Sequence, residues 1–348
     1  MKIVICWIDD DEKHKTDAEI LEEKMLQSNK NGKVLFYHPE DFKRKFNSRK
    51  PRIDLFLVDY YLNRIAGKNG KQYHGKGLSF IGFLRETYPD LPIYAFTAIP
   101  DLVTTSRLTH LIEKEADKKL DLNIIQESGH EFLYYDALDY RIIRKSIKKK
   151  VSKLVNLLDP PKIEREKITD LLPHILKTSE INRELVGGSL EYASWIKNIF
   201  LVRPGFLYND LYSSVALGMT RQAFIERINE FESAVYKGLF AKTLKQSLWW
   251  KANLFDIISE KAHENSKTIE QCEEYFSSDI KDLSSKIFKL QETDISTCAV
   301  CNKKLPETVG LDVESDDLIP VHFRCSRENP EIQRILFFED LRIAKVKR

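Results

Sequence analysis

The stretch KIVICWIDDD, residues 2–11, decides the fold. Its apolar part is β-branched and continuous, which is typical of a buried strand, and three aspartates follow where the apolar run ends. Two later runs end in the same way: RIDLFLVDYYL (52–62) reaches Asp59, and LPIYAFTA (91–98) reaches Thr97. Ligands of open α/β sheets bind beyond the carboxyl ends of the strands. We therefore expect Asp9, Asp10, Asp59 and Thr97 to meet at one edge of a sheet.

The N-terminal third alternates between strand-like and helix-like segments five times. KVLFYH (33–38) and EFLYY (131–135) supply the second and fifth strands, and helical patterns separate the runs. The predicted fold class is α/β, with a doubly wound, five-stranded parallel sheet. Asp159, Pro160 and Pro161 stop the last helix of this part, because proline disfavours helix in the residue before it. We expect three domains: 1–158, a mainly helical region over 162–294, and a small zinc-stabilised module over 295–348.

Composition narrows the classes of function. The chain has 348 residues, of which 42% are hydrophobic and 31% charged, as in soluble globular proteins. Its net charge of +2 gives no global basic field for nucleic acid. Its apolar runs are too short to span a membrane, and it does not open with a secretory leader pattern. We expect a cytoplasmic protein with no membrane partner.

The acidic edge indicates metal-assisted phosphoryl chemistry. Carboxylates that converge at such an edge form an oxygen-rich site suited to Mg²⁺. Asp59 would serve both as a ligand and as a nucleophile, since a carboxylate beside Mg²⁺ can take a phosphoryl group as an aspartyl phosphate. Thr97 would donate its hydroxyl to a phosphoryl oxygen.

These residues resemble the receiver domain of two-component response regulators, over about residues 1–158. The family's acidic pair falls on Asp9 and Asp10, its phosphoacceptor on Asp59, and its switch residue on Thr97. The resemblance implies a flavodoxin-like fold, and Mg²⁺ bound by Asp10, Asp59 and the backbone carbonyl of Tyr61, with Asp9 acting through water. It also implies a sensor histidine kinase or phosphotransfer protein as partner, and a homodimer as a further expectation. Autophosphorylation from a phosphodonor would be its only catalytic activity.

The chain departs from the family at the end of the fifth strand. The family's phosphate-pairing lysine is replaced by Tyr135 if EFLYY is that strand, whereas Lys118 or Lys119 could serve if the strand lay earlier, in KKLDLN. An alternative function is therefore a degenerate receiver that only recruits a protein partner. In the following helix, YRIIRKSIKKKVSKLVNLLD (140–159), we expect the basic residues from Arg141 to Lys153 to form a solvated face.

A phosphatase is a further alternative. WIDDDE contains Asp-x-Asp after an apolar strand and IYAFTA ends a strand with threonine, which together resemble the first two motifs of haloacid-dehalogenase-type phosphatases. This alternative leaves Asp59 without a role, and we find no convincing Gly-Asp motif.

The helical middle contains one motif, at residues 208–231. YSSVALGMTRQAFIERINEF (212–231) resembles a helix-turn-helix with its turn at Leu217 to Met219. In a DNA-binding regulator Arg221 and Gln222 would face DNA bases or phosphates. An ordinary helical bundle is the other interpretation.

The cysteines near the C-terminus predict a second metal. CAVC (298–301) and HFRC (322–325) supply Cys298, Cys301, His322 and Cys325, a tetrahedral Zn²⁺ ligand set with paired two-residue spacings. Four protein ligands leave no open position, so the zinc would be structural. The spacing resembles one half of a LIM domain or another treble-clef finger. Such a module would serve as an output region that binds DNA or protein.

Overall fold

The computed structural model describes residues 2–46, 52–60, 62, 76–97, 116–147, 151–173, 188–203, 205–265, 277–298, 301–303, 308–312, 318–322 and 325. The chain divides into two compact units. The first unit comprises residues 1–158, 167–199 and 238–244, and the second unit comprises 159–166, 200–237 and 245–348. The expected division into three domains stays a prediction.

The first unit is built on a five-stranded parallel sheet. Its strands are β1 (Ile3–Ile8), β2 (Gly32–Tyr37), β3 (Leu55–Asp59), β4 (Ile93–Thr97) and β5 (Lys118–Asp121), in the order β2-β1-β3-β4-β5. Strands β3 and β4 are buried along their whole length, as expected of strands covered on both faces. The predicted fold class is confirmed, with helices flanking the sheet and a mainly helical region after it.

The helices follow the strands in alternation. In the first unit they are α1 (Lys13–Gln27), α2 (Pro39–Phe46), α3 (Lys76–Thr87), α4 (Leu122–Ser146), α5 (Val151–Asn156), α6 (Arg165–Leu171) and α7 (Gly188–Trp195). Helix α6 begins in the second unit and continues into the first. The helix expected between β4 and β5 falls mostly on residues 98–115, outside the described residues. Among the described residues, no helix is long and apolar enough to cross a membrane.

The fifth strand lies earlier than predicted. EFLYY (131–135) belongs to α4, where Leu133 is buried with Ile125 and Ala137 at helical spacing. Tyr135 therefore does not stand at a strand end; the Lys242 ammonium lies 4.7 Å from the centre of its ring. The true fifth strand contains Lys118 and Lys119.

The prediction that the basic residues of the helix over 140–159 form a solvated face is wrong for Arg141. This side chain is only 2% exposed and forms a bidentate ion pair with Asp54, with Nε 2.5 Å from Oδ1. Arg141 also donates to the Lys2 carbonyl at 2.7 Å, and Asp54 accepts from the Val4 amide at 2.9 Å. The ion pair therefore ties α4 to β1 and to the start of β3.

A second group of polar side chains, buried or half-buried, lies along α4. The Asp136 carboxylate accepts from the Tyr94 hydroxyl at 2.6 Å and from the Lys197 ammonium at 2.9 Å. One turn further on, Asp139 accepts from the backbone amide of Phe240 at 2.7 Å. Residues 188–199 and 238–244 are thus fastened to the same helix by charged groups.

The second unit contains α8 (Asp210–Ala216), α9 (Arg221–Glu226), α10 (Lys251–Asn265) and α11 (Ser277–Phe288). Two antiparallel pairs complete it: β6 (Leu207–Tyr208) with β7 (Trp249–Trp250), and β8 (Thr308–Asp312) with β9 (Leu318–His322). Its apolar core gathers the turn after α8, helix α9 and helices α10 and α11. Fully buried members include Leu217, Met219 and Phe224.

Candidate metal centres

Three neighbouring strands carry the acidic edge. Asp9 directly follows β1, Asp59 ends β3, and Thr97 ends β4. Asp59 is level with Phe96 of β4, so Thr97 lies one residue beyond it toward the edge. Asp9, Asp59 and Thr97 are 0%, 7% and 3% exposed. The alternation of buried strands and helices therefore places these three polar residues at one largely covered edge.

Asp9, Asp10 and Asp59 form a carboxylate cluster. Each offers one oxygen, and these oxygens all lie within 4.8 Å of one another. At that separation two negative charges repel by about 3 kcal/mol for an effective dielectric constant of about 20. Carboxylate oxygens are the donors that Mg²⁺ prefers. The donor set of this cluster therefore fits a small, hard divalent cation.

The Asp9 carboxylate is oriented by three neighbours. Oδ1 accepts from the Asp11 backbone amide at 2.8 Å, while Oδ2 lies 2.6 Å from His14 Nδ1 and 3.4 Å from Trp7 Nε1. Burial raises the pKa of Asp9, and the hydrogen bonds to Asp11 and His14 act in the opposite direction. Sequence reasoning missed His14, although it lies in the first turn of α1, within reach of a residue at the end of β1.

The chain after Asp59 is packed closely against α3. A Cβ atom added at Gly77 would lie 2.1 Å from the Tyr60 carbonyl oxygen, so only glycine fits there without a backbone shift. The predicted carbonyl ligand, Tyr61, lies outside the described residues.

The end of β5 is acidic. Thr97 is level with Asp121, which accepts from the Asn123 amide at 2.8 Å and caps α4. The Lys118 ammonium lies 3.9 Å from the Asp136 carboxylate, and Lys119 is level with Ala95, two residues before the end of β4. Strand β5 therefore contains lysines but ends in an aspartate.

The order β2-β1-β3-β4-β5 with all strands parallel is the flavodoxin-like order. The sheet and its helices therefore have a flavodoxin-like fold. No protein-family model and no curated protein matches the sequence.

Receiver domains are among the solved structures similar to the N-terminal part. A CheY-like response regulator receiver domain protein from Methanospirillum hungatei JF-1 is 13% identical, with a TM-score of 0.31, and the match covers 41% of this chain and 98% of that one. A receiver domain protein from Clostridium thermocellum is 17% identical, with a TM-score of 0.29 and coverage of 41% and 96%. The signal receiver domain of an HD domain-containing protein from Pseudomonas fluorescens Pf-5 is 16% identical, with a TM-score of 0.31 and coverage of 41% and 93%. At these identities the likeness concerns the fold alone.

The cysteine cluster lies in the second unit. The sulfur atoms of Cys298, Cys301 and Cys325 all lie within 4.8 Å of one another. Burial and hydrogen bonds to the other two sulfurs raise the pKa of Cys325 to about 11. The backbone of His322 ends β9, level with Thr308, and its side chain lies outside the described residues.

Arg221 and Gln222 begin α9 and are exposed. Arg221 Nε lies 2.7 Å from the Asp210 carboxylate, and the Gln222 amide donates to Glu226 at 2.9 Å. Carboxylates thus already engage both side chains, and α9 spans only six residues. Their contact with DNA stays a prediction.

Proposed function

We propose that the chain is a response-regulator-like signalling protein in which Asp59 accepts a phosphoryl group in the presence of Mg²⁺. The observation that carries the proposal is the convergence of the Asp9, Asp10 and Asp59 carboxylates, within 4.8 Å, at the edge where Thr97 ends the next strand. Phosphorylation of Asp59 would control an output region formed by the rest of the chain.

The reaction requires only a positioned nucleophile and compensation of charge. One Asp59 oxygen attacks the phosphorus of the donor. The new O–P bond forms as the bond from phosphorus to the leaving group breaks, and the electron pair departs with that group. The leaving group is a carboxylate for an acyl phosphate, or the imidazole of a phosphohistidine on a kinase or phosphotransfer protein.

Mg²⁺, when bound, would neutralise charge on the carboxylates and the transferring group. Asp10 and Asp59 would hold it directly, and Asp9 would act through water, oriented by His14 and the Asp11 amide. Thr97 would donate its hydroxyl to a phosphoryl oxygen. Because β5 ends in Asp121, we propose that this site holds the phosphoryl group without a lysine from the end of that strand.

The test is labelling by a small phosphodonor. The full chain is incubated with acetyl phosphate and Mg²⁺, and its intact mass is measured. We expect a gain of one phosphoryl group that chelation of Mg²⁺ prevents. Asp59→Asn should abolish the gain, because the amide keeps the shape of the carboxylate but is not a nucleophile, whereas the matched change Asp17→Asn, on α1, should leave it intact.

Two results would contradict the proposal. Undiminished labelling of Asp59→Asn would remove Asp59 from the role of acceptor. A folded wild-type chain that binds Mg²⁺ but gains no phosphoryl group would favour the scaffold alternative, in which the first unit only recruits a protein partner.

A further inference from the structure

We propose that Cys298, Cys301 and Cys325 bind one Zn²⁺, and that this metal fixes the turn between α8 and α9. The proposal concerns the second unit and does not depend on phosphorylation of Asp59. The proposed role of the zinc is to hold residues 294–298 against residues 218–220.

The three sulfur atoms are close to a zinc geometry. Tetrahedral zinc with Zn–S bonds of about 2.3 Å places its sulfur ligands about 3.8 Å apart. The cysteine sulfurs lie within 4.8 Å of one another, so small side-chain movements bring all three into bonding distance. Cys298 is fully buried and the other two are partly buried, which limits competition from water.

The backbone around the first two cysteines forms a tight turn. The Cys298 amide donates to the Lys303 carbonyl at 2.9 Å, and the Asn302 amide donates to the Cys298 carbonyl at 2.8 Å. Asn302 has a φ of 56°, in the left-handed region that asparagine tolerates better than most residues. These bonds fold the chain back on itself, so that Cys298 and Cys301 present their sulfurs to one point.

The chain that enters this turn is paired with the turn between α8 and α9. Met219 and Ile295 form an antiparallel bridge. The Thr220 amide donates to the Asp294 carbonyl at 2.7 Å, and the Ser296 amide donates to the Gly218 carbonyl at 3.2 Å. Cys298 lies two residues after Ser296, so a metal bound by its sulfur holds the end of the 294–296 segment in place.

The paired turn belongs to the core of the second unit. Leu217 and Met219, on either side of Gly218, are fully buried in the same apolar cluster as Phe224 of α9. Gly218 has a φ of 74°, and a Cβ atom there would lie 2.8 Å from Lys281 Cβ on α11. A structural zinc contributes to folding free energy because the assembled ligand set exists only in the folded state. Loss of the metal should therefore release residues 294–298 first and then loosen the turn and α9.

His322 is the fourth ligand of the proposed site. It lies three residues before Cys325 and would complete a closed site of three thiolates and one imidazole. Co²⁺ in place of zinc should give the visible absorption of a tetrahedral site with intense thiolate charge-transfer bands. His322→Ala should alter the visible bands while retaining the charge-transfer bands. A Co²⁺ spectrum without thiolate bands would overturn the site.

The decisive experiment combines metal analysis with hydrogen exchange on the full chain. We expect one zinc per chain in the native protein and loss of zinc in Cys301→Ser. Cys272→Ser, the same chemical change at a cysteine outside the described residues, serves as the control and should retain it. After chelation, peptides covering 217–226 and 294–298 should exchange faster by about tenfold or more, which corresponds to ~1.4 kcal/mol. Zinc should restore their protection, and the strands of the first unit should not change.

Two outcomes would overturn the proposal. Native protein that neither contains zinc nor takes up added zinc would remove the site. If zinc is bound but its removal leaves hydrogen exchange over 217–226 unchanged, the metal does not fix the turn between α8 and α9. Chelation of the wild-type chain keeps the test valid even if Cys301→Ser does not fold.

Discussion

Replacing Asp139 by asparagine should stabilise the first unit at alkaline pH and not at acidic pH. Asp139 accepts a hydrogen bond from the Phe240 amide, and an asparagine side-chain oxygen can accept the same bond. Burial raises the pKa of Asp139 from its ordinary value of 3.8 to about 7, against the hydrogen bond from the Phe240 amide, which lowers it. The charge of Asp136 adds to the rise, and Lys197 and Lys242 oppose it. Ionisation of this side chain is therefore costly only in the folded chain.

The sign and size of the pH effect on stability follow from proton linkage. Between about pH 4 and pH 7 the folded chain keeps the Asp139 proton and the unfolded chain releases it, so stability falls as the pH rises through this window. At 1.36 kcal/mol per pH unit, wild type should lose about 3 kcal/mol from this group between pH 5 and pH 8. Asparagine does not titrate, so the difference in unfolding free energy should move in favour of Asp139→Asn by about that amount.

Native-state hydrogen exchange in urea, followed on peptides of α4 and corrected for intrinsic rates, reports the unfolding free energy of the first unit by itself. The raised pKa of Asp139 is refuted if the difference in unfolding free energy between variant and wild type is the same at pH 5 and pH 8. It is equally refuted if the variant is the less stable protein at pH 8.

Three further substitutions test contacts that hold the acidic edge and its sheet. Arg141→Met should cost about 3–5 kcal/mol in urea unfolding, because it removes a bidentate partner from the buried Asp54 carboxylate. Arg144→Met, which removes a more exposed partner 3.2 Å from the same carboxylate, should cost clearly less, and equal costs would contradict this account. His14→Leu should weaken Mg²⁺ binding by about 10–100-fold, since partners that orient metal ligands commonly contribute that much. Titration calorimetry measures the effect, and an unchanged affinity would show that His14 does not orient Asp9.

The strands of the acidic edge could be predicted because a short, continuous stretch of sequence marks each of them. Buried parallel strands read as continuous apolar runs, and a polar residue at the end of such a run marks the carboxyl edge. The first four strands of the sheet were predicted correctly for this reason. The fifth strand was missed because KKLD buries only Leu120 and lies at the edge of the sheet, where charged residues are common. The aromatic residues of EFLYY favour a strand by propensity, but packing along α4 makes them helical.

Other features depend on partners that are distant in sequence. The burial of Arg141 depends on Asp54, 87 residues earlier, and no local pattern distinguishes it from the half-buried Arg144 and the exposed Lys145 of the same helix. The pairing of residues 294–296 with 218–220 is likewise a tertiary contact between two irregular segments. The cysteine spacing could suggest a metal, but only the folded chain pairs residues 294–296, which lead into Cys298, with the turn before α9.

The location of the phosphoryl group tests the role of Asp59 as the acceptor most directly. After acetyl phosphate and Mg²⁺ treatment, borohydride reduces an aspartyl phosphate to homoserine, and peptide mass spectrometry then identifies the converted residue. We expect conversion at Asp59 alone, and none in a sample chelated before the phosphodonor is added. Conversion at Asp9 or Asp10, with Asp59 unchanged, would contradict the assignment of the nucleophile and with it the proposed function.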